Sequence, residues 1–354
     1  MPAQGGGDVL LRRVFAATVL VVSLAGCTLS SGEEPEDGER RVVLVTHDSF
    51  AMSEEVLDAF RERSGIRIDV RKLGDAGALT NQLVLTKDNP VGDLAFGVDT
   101  TFASRALDED VFSPYESPEA DQGPQRYAID DTNRLTAVDV GDVCVNIDPA
   151  ALTAKGVPEP TTYADLTKAE YQDMLVVEDP ATSSPGLAFL LGTIAELGDG
   201  WREYWMALKG RGVQVVSGWE EAYTQEFSGS SGKGPRPIVV SYASSPSAEL
   251  AEDGTPRTKA VLGTCFRQVE YAGVLQGAAE EQDARKVLDF LLSAEFQAQV
   301  PEQMYVYPAR EGVDLPEAWE KAAPLPDAPA ELDPAEISRN RERWIDEWRA
   351  LVQG

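Results

Sequence analysis

The stretch VVLVTHDSFAMSEEVLDAFRERSGIRIDV, residues 42–70, contains the pattern that decides the fold class. Val42 to Thr46 is a short run of the kind found in buried strands. Ser53 then offers an N-cap to a helix with one apolar face, and Gly65 ends that helix. Residues 66–70 alternate between apolar and polar, as a second strand does. A strand, a helix and a strand within about thirty residues predict a βαβ unit with parallel strands.

The same alternation continues along the chain and predicts an α/β fold with a parallel core. The predicted elements are a helix through Leu79 and Leu83, strands at Asp93–Val98, Leu135–Val145, Met174–Val177, Val213–Val216 and Pro237–Ser241, helices near Tyr163–Tyr171 and Pro185–Leu197, and helices opening near Trp219 and Pro246. A C-terminal helix is predicted over Asp333–Leu351, with Trp344 and Trp348 as packing residues. Neither an internal repeat nor a long linker is visible, so two lobes joined by strands fit this length best.

Composition limits the possible functions. The chain has 354 residues, of which 43% are hydrophobic and 26% charged, which excludes disordered and fibrous classes. Its net charge of −29 disfavours nucleic acid and anionic membrane surfaces as partners, whereas a cationic small molecule would be tolerated or attracted. With one histidine, His47, and three cysteines, sites that need several imidazoles or thiolates cannot be built, so we expect neither a metal nor a cofactor.

The first residues resemble an export signal. Arg12 and Arg13 precede an apolar run that is too short to span a bilayer, and the run ends in Leu24-Ala25-Gly26-Cys27, which resembles a bacterial lipobox. We therefore expect a signal peptide over residues 1–26, lipidation of Cys27 at the outer face of the bacterial cell membrane, and a flexible tether over 27–40. A plain signal peptide with an incidental cysteine would leave an unpaired thiol in an oxidising compartment.

Two serine-proline segments each follow a predicted strand and open a predicted helix: Ser183-Ser184-Pro185 and Ser244-Ser245-Pro246. Proline fits the first helical turn and the preceding serine fits the cap. Two helix starts at strand ends would form a cradle for an anion or a polar group. Ordinary N-capping explains the same pattern.

Three aromatic residues stand at predicted strand ends or in a constrained loop: Trp219, Tyr242 and Tyr305. Aromatic faces at such positions can stack on a flat heterocycle or hold a cation. Packing of the core or between lobes is the alternative interpretation.

The run His47-Asp48-Ser49 has the residue types of a hydrolase, but neighbouring residues at a strand end point in divergent directions, so catalysis is not favoured. Cys144 and Cys265 fit either a disulfide outside the cytoplasm or two separate buried thiols. Their spacing does not decide between these.

Several segments in fixed order are similar to thiamine-binding solute receptors of ABC importers. These are Thr46-His47-Asp48-Ser49-Phe50, Leu73-Gly74-Asp75-Ala76, Asp93 to Asp99, Glu178 to Gly186, Gly218 to Tyr223, and Ser241-Tyr242-Ala243-Ser244-Ser245-Pro246. The similarity extends from about Val42 to Leu351, which is nearly the whole mature domain.

The resemblance implies a two-lobed type II periplasmic-binding-protein-like fold with mixed, mainly parallel sheets and a hinge. Lobe 1 would comprise residues 41–140 and, with the C-terminal helices, 266–354, and lobe 2 residues 141–265. The implied protein is not an enzyme. It is a monomeric receptor that closes on thiamine or its phosphate esters and delivers the ligand to an ABC permease.

The family's ligand contacts, carried over by resemblance, fall on ten residues of this chain: Asp75, Ala76, Ser183, Ser184, Trp219, Tyr242, Ala243, Ser244, Ser245 and Tyr305. Two aromatic residues of some relatives are absent, because Glu54 and Ala248 stand in their places. Another cargo therefore stays open: a thiamine precursor, a polyamine or ferric ion. A secreted hydrolase is the alternative from another class.

Overall fold

The computed structural model of the protein describes residues 40–231 and 233–354. The predicted signal peptide, the lipidated Cys27 and residues 27–39 of the predicted tether lie outside the described residues. The first strand begins at Arg40, the last residue assigned to the tether from sequence.

Strands and helices alternate along most of the described chain. The strands are β1 (Arg40–Thr46), β2 (Ile66–Lys72), β3 (Leu94–Asp99), β4 (Thr136–Val140), β5 (Val143–Ile147), β6 (Leu175–Glu178), β7 (Gln214–Val216), β8 (Ile238–Tyr242), β9 (Lys259–Phe266), β10 (Val269–Val274) and β11 (Tyr307–Pro308). The helices are α1 (Glu54–Ser64), α2 (Ala76–Leu85), α3 (Ala103–Asp108), α4 (Pro149–Lys155), α5 (Ser184–Leu197), α6 (Trp201–Gly210), α7 (Trp219–Glu221), α8 (Glu281–Leu291), α9 (Ala294–Gln297), α10 (Val300–Gln303), α11 (Trp319–Ala322) and α12 (Pro334–Val352).

The strands form two mixed sheets, and the α/β fold class is confirmed. The first sheet has six strands in the order β11-β4-β10-β3-β1-β2, and the second has five in the order β7-β6-β8-β5-β9. In the first sheet β1 is parallel to β2 and β3, while β10 runs antiparallel between β3 and β4. In the second sheet β6 is parallel to β7 and β8, while β5 is antiparallel to β8 and β9.

The βαβ unit that the sequence predicts is confirmed. The Ser53 hydroxyl accepts the backbone N–H of Val56 and caps α1. Gly65 ends α1 with φ +67°, a left-handed conformation that glycine adopts without a Cβ clash. The strands on either side, β1 and β2, pair in parallel from Arg40 opposite Ile66 to Thr46 opposite Lys72.

The predicted single strand Leu135–Val145 is wrong, because the chain passes from one sheet to the other within it. β4 ends at Val140 in the first sheet and β5 begins at Val143 in the second. At the crossing, a Cβ on Gly141 would lie 2.8 Å from the Tyr242 ring, so only glycine fits. The buried Asp142 accepts a hydrogen bond of 2.6 Å from Arg267 Nε. Arg267 lies in the second crossing, between β9 and β10.

Three of the predicted helices are shorter than expected. The segment near Tyr163–Tyr171 forms two 3₁₀ turns, and the one at Pro246 is a single 3₁₀ turn over Ser245–Ala248. α7 gives way to a π turn over Ala222–Glu226. At Pro246 the Ser247 hydroxyl donates to the Ser244 carbonyl, and such local side-chain bonds compete with helix continuation.

The predicted C-terminal helix is confirmed as α12. Asp333 caps it by accepting the Ala335 N–H at 2.7 Å. Trp344 and Trp348 are buried, with Trp348 edge-to-face on Trp205 of α6, so their assignment to packing is confirmed. Within the described part of the chain, every helix is too short or too polar to span a lipid bilayer.

Cys144 and Cys265 form a disulfide, which answers the question that their spacing left open. They lie on the neighbouring strands β5 and β9, and both are buried. Ala243 packs against Cys144 and Cys265. The bond therefore fixes the edge of the second sheet directly beside the segment that follows β8.

Candidate functional site

A cavity of about 60 Å³ lies where the ends of the two sheets face each other, large enough for a few waters. His47, Ser49, Glu270, Met304, Tyr305 and Val306 line it from the side of the first sheet. Trp219, Tyr223, Tyr242, Ser245 and Ala248 line it from the side of the second. Four large aromatic side chains, Trp219, Tyr223, Tyr242 and Tyr305, line the cavity, and Glu270 contributes its one carboxylate.

A wider cleft of about 590 Å³ adjoins this cavity and shares Ser49 and Trp219 with it. Four carboxylates line the cleft: Asp48, Asp75, Glu220 and Glu221. The cleft contains no lysine or arginine among its lining residues. The approach to the cavity is therefore negative, which favours the entry of cations.

The aromatic wall is built around Trp219 at the start of α7. Its indole stacks on Tyr223 with the ring centroids 5.0 Å apart and the planes 14° from parallel. The indole N–H donates to the Ser241 hydroxyl at 2.8 Å, which fixes the rotation of the ring. The Tyr242 ring lies 6.2 Å away at 56°. Together the three rings offer flat apolar surface to a ligand in the cavity.

Asp75 connects the two sides of the cleft. Its Oδ1 accepts the Ala76 N–H at 2.7 Å and caps α2, and its Oδ2 accepts the Trp219 N–H at 3.1 Å. Burial raises the pKa of Asp75, against the Ser183 hydroxyl and the backbone N–H groups of Trp219 and Ala76, which lower it. The carboxylate thus orients the backbone of the principal aromatic residue from the opposite side of the cleft.

Ser183 and Ser184 lie at the start of α5 but do not line the cavity. Neither hydroxyl caps the helix, so the predicted serine capping is wrong here. The reason is that the Ser184 hydroxyl donates to Asp99 at the end of β3 instead. Burial raises the pKa of Asp99 to about 6. This hydrogen bond links a residue following the second sheet's β6 to a strand of the first sheet.

In the segment after β8, one serine lines the cavity and the other does not. The Ser245 hydroxyl lines the cavity, lies 2.7 Å from the Ser241 hydroxyl and accepts the Tyr242 N–H at 3.1 Å. Ser244 donates its hydroxyl to the Tyr305 carbonyl. Four of the ten predicted contacts line the cavity: Trp219, Tyr242, Ser245 and Tyr305. A fifth, Asp75, lines the cleft. The other five line neither: Ala76, Ser183, Ser184, Ala243 and Ser244.

The backbone of Tyr305 has an uncommon conformation. It has φ +55°, a left-handed conformation that is uncommon for a bulky residue and costs of the order of 1 kcal/mol. Its side chain lines the cavity and is 40% exposed. The contact of its carbonyl with Ser244 holds this conformation. The tight turn places an aromatic ring at the rim of the cavity.

Sequence reasoning missed Glu270 and Tyr223 and assigned no binding role to His47. Glu270 lies in β10, and a charged residue within a fully buried strand is the signal that could have found it. Its Oε2 lies 3.3 Å from His47 Nε2. Burial lowers the pKa of His47, but Glu270, Asp75 and Asp48 raise it more, so the result lies above 6.5.

The hydrolase alternative finds no geometric support at this histidine. Ser49 meets the imidazole through its backbone N–H, which donates to Nδ1 at 3.2 Å. Among the described residues, no hydrogen bond joins the Ser49 hydroxyl to His47, and no group of three or more His, Cys, Asp or Glu side chains is placed to hold a metal ion.

The two departures from the family pattern differ in position. Ala248 lines the cavity, where an aromatic residue would fill space. Glu54 is exposed at the first residue of α1 and does not line the cavity. Of these two replacements, only Ala248 alters the cavity itself.

Comparison with known proteins gives consistent matches. Residues 89–331 match the family model described as bacterial extracellular solute-binding protein. The chain is 28% identical over 326 residues to the thiamine-binding periplasmic protein of Brucella abortus, covering 88% of this chain and 92% of the relative. It is 27% identical over 322 residues to the Escherichia coli protein of the same name, covering 88% and 93%. A solved structure of a periplasmic thiamin binding protein superposes with a TM-score of 0.80 at 26% identity, covering 90% of this chain and 98% of that one. The resemblance found in the sequence is thereby confirmed.

Proposed function

Because the chain belongs to the family of bacterial extracellular solute-binding proteins, we propose that it is an extracytoplasmic receptor that binds thiamine or a thiamine phosphate ester and delivers it to an ABC permease. The observation that carries the proposal is the cavity with stacked aromatic walls, one carboxylate inside and four at the approach. The thiamine-binding relatives from Brucella and Escherichia coli support the choice of ligand.

The chemistry of the ligand fits the aromatic side chains of the cavity and the acidic cleft that adjoins it. Thiamine consists of two flat heterocycles, and its thiazolium ring carries a permanent positive charge. Flat cations gain roughly 0.5 to 2 kcal/mol from each aromatic face that they contact. Trp219 and Tyr242 supply such faces. The hydroxyl of Ser245, on the same wall, suits the polar hydroxyethyl or phosphate end.

Closure of two lobes around the ligand is the mechanism we propose. Three hydrogen bonds join the side of the first sheet to that of the second around the cavity: Trp219 to Asp75, Ser184 to Asp99 and Ser244 to Tyr305. The crossings at Gly141 and Arg267 would serve as the hinge. A ligand that contacts both sides stabilises the closed state by its differential affinity for it.

Anchoring through a lipid on Cys27, a monomeric state and docking to a permease complete the proposal. The lipobox-like Leu24-Ala25-Gly26-Cys27 supports the first of these. Intact mass measurement of the protein expressed in a bacterial host with its full leader tests it. The expected mass is that of residues 27–354 plus a diacylglyceryl group, and a chain cut elsewhere without lipid would contradict it.

The function is tested by calorimetric titration of the purified protein with thiamine, thiamine monophosphate, spermidine and ferric ion, with tryptophan fluorescence in parallel. We expect saturable one-to-one binding of a thiamine form with quenching of Trp219, and no turnover of the ligand. Binding of spermidine or iron alone would retain the receptor and change the cargo. Absence of all binding would overturn the proposal.

The affinity for thiamine is expected to increase by about three- to tenfold between pH 6 and pH 8. The pKa of His47 lies above 6.5 and that of Asp99 at about 6, so both groups lose protons over this range. The groups that face His47 are Glu270, Asp75 and Asp48. A bound cation disfavours the protonated imidazole, so the complex holds fewer protons than the free protein and affinity increases with pH.

Titrations at half-unit steps of pH check this expectation. The His47→Gln protein, which cannot gain the proton, should lose most of the dependence above pH 6.5. A flat profile for the parent protein, or an affinity that decreases with pH, would contradict the linkage.

A further inference from the structure

We propose that Glu270 recognises the positive charge of the ligand inside the cavity, and that His47 is the positioning residue that aims the Glu270 carboxylate. The inference rests on the proposed function and deepens it. It assigns to β10, a strand of the first sheet, the group that discriminates a cationic ligand from a neutral one of the same shape.

The position of Glu270 is the first argument. It lies in the middle of the first sheet, on a strand paired with β3 on one side and β4 on the other, so its backbone is fixed from both sides. The residue is 7% exposed, yet it lines the cavity. It is the one acidic residue among the cavity's lining residues. A carboxylate held in so little water acts strongly on a charge that enters beside it.

The state of His47 is the second argument. The Ser49 N–H donates to its Nδ1, which therefore carries a lone pair, and the ring proton of the neutral imidazole is on Nε2. Nε2 lies 3.3 Å from Glu270 Oε2, an ion-pair contact that does not meet hydrogen-bond geometry. A neutral imidazole in this contact restricts the position of the carboxylate without neutralising its charge. The negative charge is left for a cation in the cavity.

The acidic residues beside Glu270 are the third argument, because they are buried away from the cavity. Asp99 and Asp139 lie on the neighbouring strands β3 and β4 and are fully buried. The two carboxylate oxygens of Asp139 have no hydrogen-bond partner among the described residues. Burial and the carboxylates of Glu270 and Asp99 raise the pKa of Asp139, which favours its neutral form. The acidic residue of this group that opens to the cavity is Glu270.

The experiment compares thiamine with its uncharged isostere, in which a thiophene replaces the thiazolium ring. Calorimetric titration of the parent protein should show at least about tenfold tighter binding of thiamine. In Glu270→Gln, affinity for thiamine should decrease by at least about tenfold, while affinity for the isostere should change by less than threefold. Asp346→Asn, which removes an exposed carboxylate on α12, is the matched control and should change neither.

The remaining outcomes distinguish failure of the inference from failure of the proposed function. If Glu270→Gln weakens both ligands equally, Glu270 has only a structural role and the inference is overturned. If it weakens neither, the inference is overturned as well. Equal affinity of the parent protein for the two ligands overturns it even where the variant does not fold. A parent protein that binds no thiamine form shows instead that the proposed function has failed, and the inference with it.

His47→Gln tests the positioning role separately. Glutamine offers an N–H donor but cannot be charged, so preference for thiamine over the isostere should persist with at most a fewfold loss. His47→Ala removes the donor and should decrease the preference further. If His47→Ala preserves the full preference, the carboxylate needs no help from the imidazole.

Discussion

Gly77→Ala is expected to lower the affinity for thiamine by about 10- to 100-fold without weakening the unliganded fold. Gly77 lies in the first turn of α2, and Thr182 of the opposite side approaches it. A Cβ at Gly77 would lie 2.7 Å from the Thr182 carbonyl carbon and 2.8 Å from its oxygen. Overpacking against backbone costs roughly 1 to 3 kcal/mol, and this cost applies to the closed state alone if the lobes separate.

The unliganded protein should, if anything, gain stability from this change. Alanine favours a helix by about 1 kcal/mol relative to glycine, and Gly77 is within a helix. The ring of Phe102, the other near neighbour at 2.8 Å, is the end of a side chain and can shift. Thermal unfolding without ligand should therefore occur at the same or a higher temperature, while calorimetry shows the loss of affinity.

Gly200→Ala is the matched control for this experiment. Nothing lies within 4 Å of a Cβ at Gly200, the residue directly before α6. Its affinity for thiamine should equal that of the parent protein. If Gly77→Ala also binds like the parent, the contact between α2 and Thr182 does not belong to the ligand-bound state, and the proposed closure is contradicted.

Trp219→Ala is expected to lower the affinity for thiamine by about 30- to 1000-fold, since a central aromatic contact is worth roughly 2 to 4 kcal/mol. The substitution removes the aromatic face beside the cavity and the stack on Tyr223. It retains the backbone N–H that Asp75 accepts, so the link across the cleft persists. The loss therefore measures the ring and not the closure.

Trp219→Phe separates the aromatic face from the indole N–H. Phenylalanine keeps a flat ring but cannot donate to the Ser241 hydroxyl, so the ring loses the bond that fixes its rotation. We expect a loss of about three- to tenfold for this variant. Calorimetry with both variants, with thermal unfolding as a check on folding, tests the assignment. Equal binding by Trp219→Ala and the parent would place the ligand elsewhere.

Local signals in the sequence predicted the elements well where neighbouring residues determine them. The cap at Ser53, the left-handed end at Gly65 and the cap at Asp333 are interactions within one turn of chain, and all three are present. The switch between sheets at Gly141 was missed. The segments on either side of it are apolar, so they read as one strand, and only their different partners separate them.

Three of the four tyrosine and tryptophan residues that line the cavity could be found from sequence, because strand ends and a proline-containing loop are recognisable, whereas Tyr223 was missed. Trp219, Tyr242 and Tyr305 reach one cavity from three separate segments. Glu270 could not be ranked in the same way. Its significance depends on His47, more than 200 positions away, and on whether the carboxylate faces a cavity or a partner strand. Neither the contact with His47 nor the direction of the carboxylate can be inferred from a short stretch of sequence.

By itself the sequence determined the α/β class, the order of most elements and the resemblance to solute receptors, because periodicity, caps and ordered motifs are local properties of the chain. The tertiary structure alone decided which side chains share the cavity, that Cys144 and Cys265 are bonded, and that Ser184 bonds Asp99 instead of capping α5. The physical reason is that these outcomes depend on distances between segments far apart in sequence. Only the packing of the two sheets sets those distances.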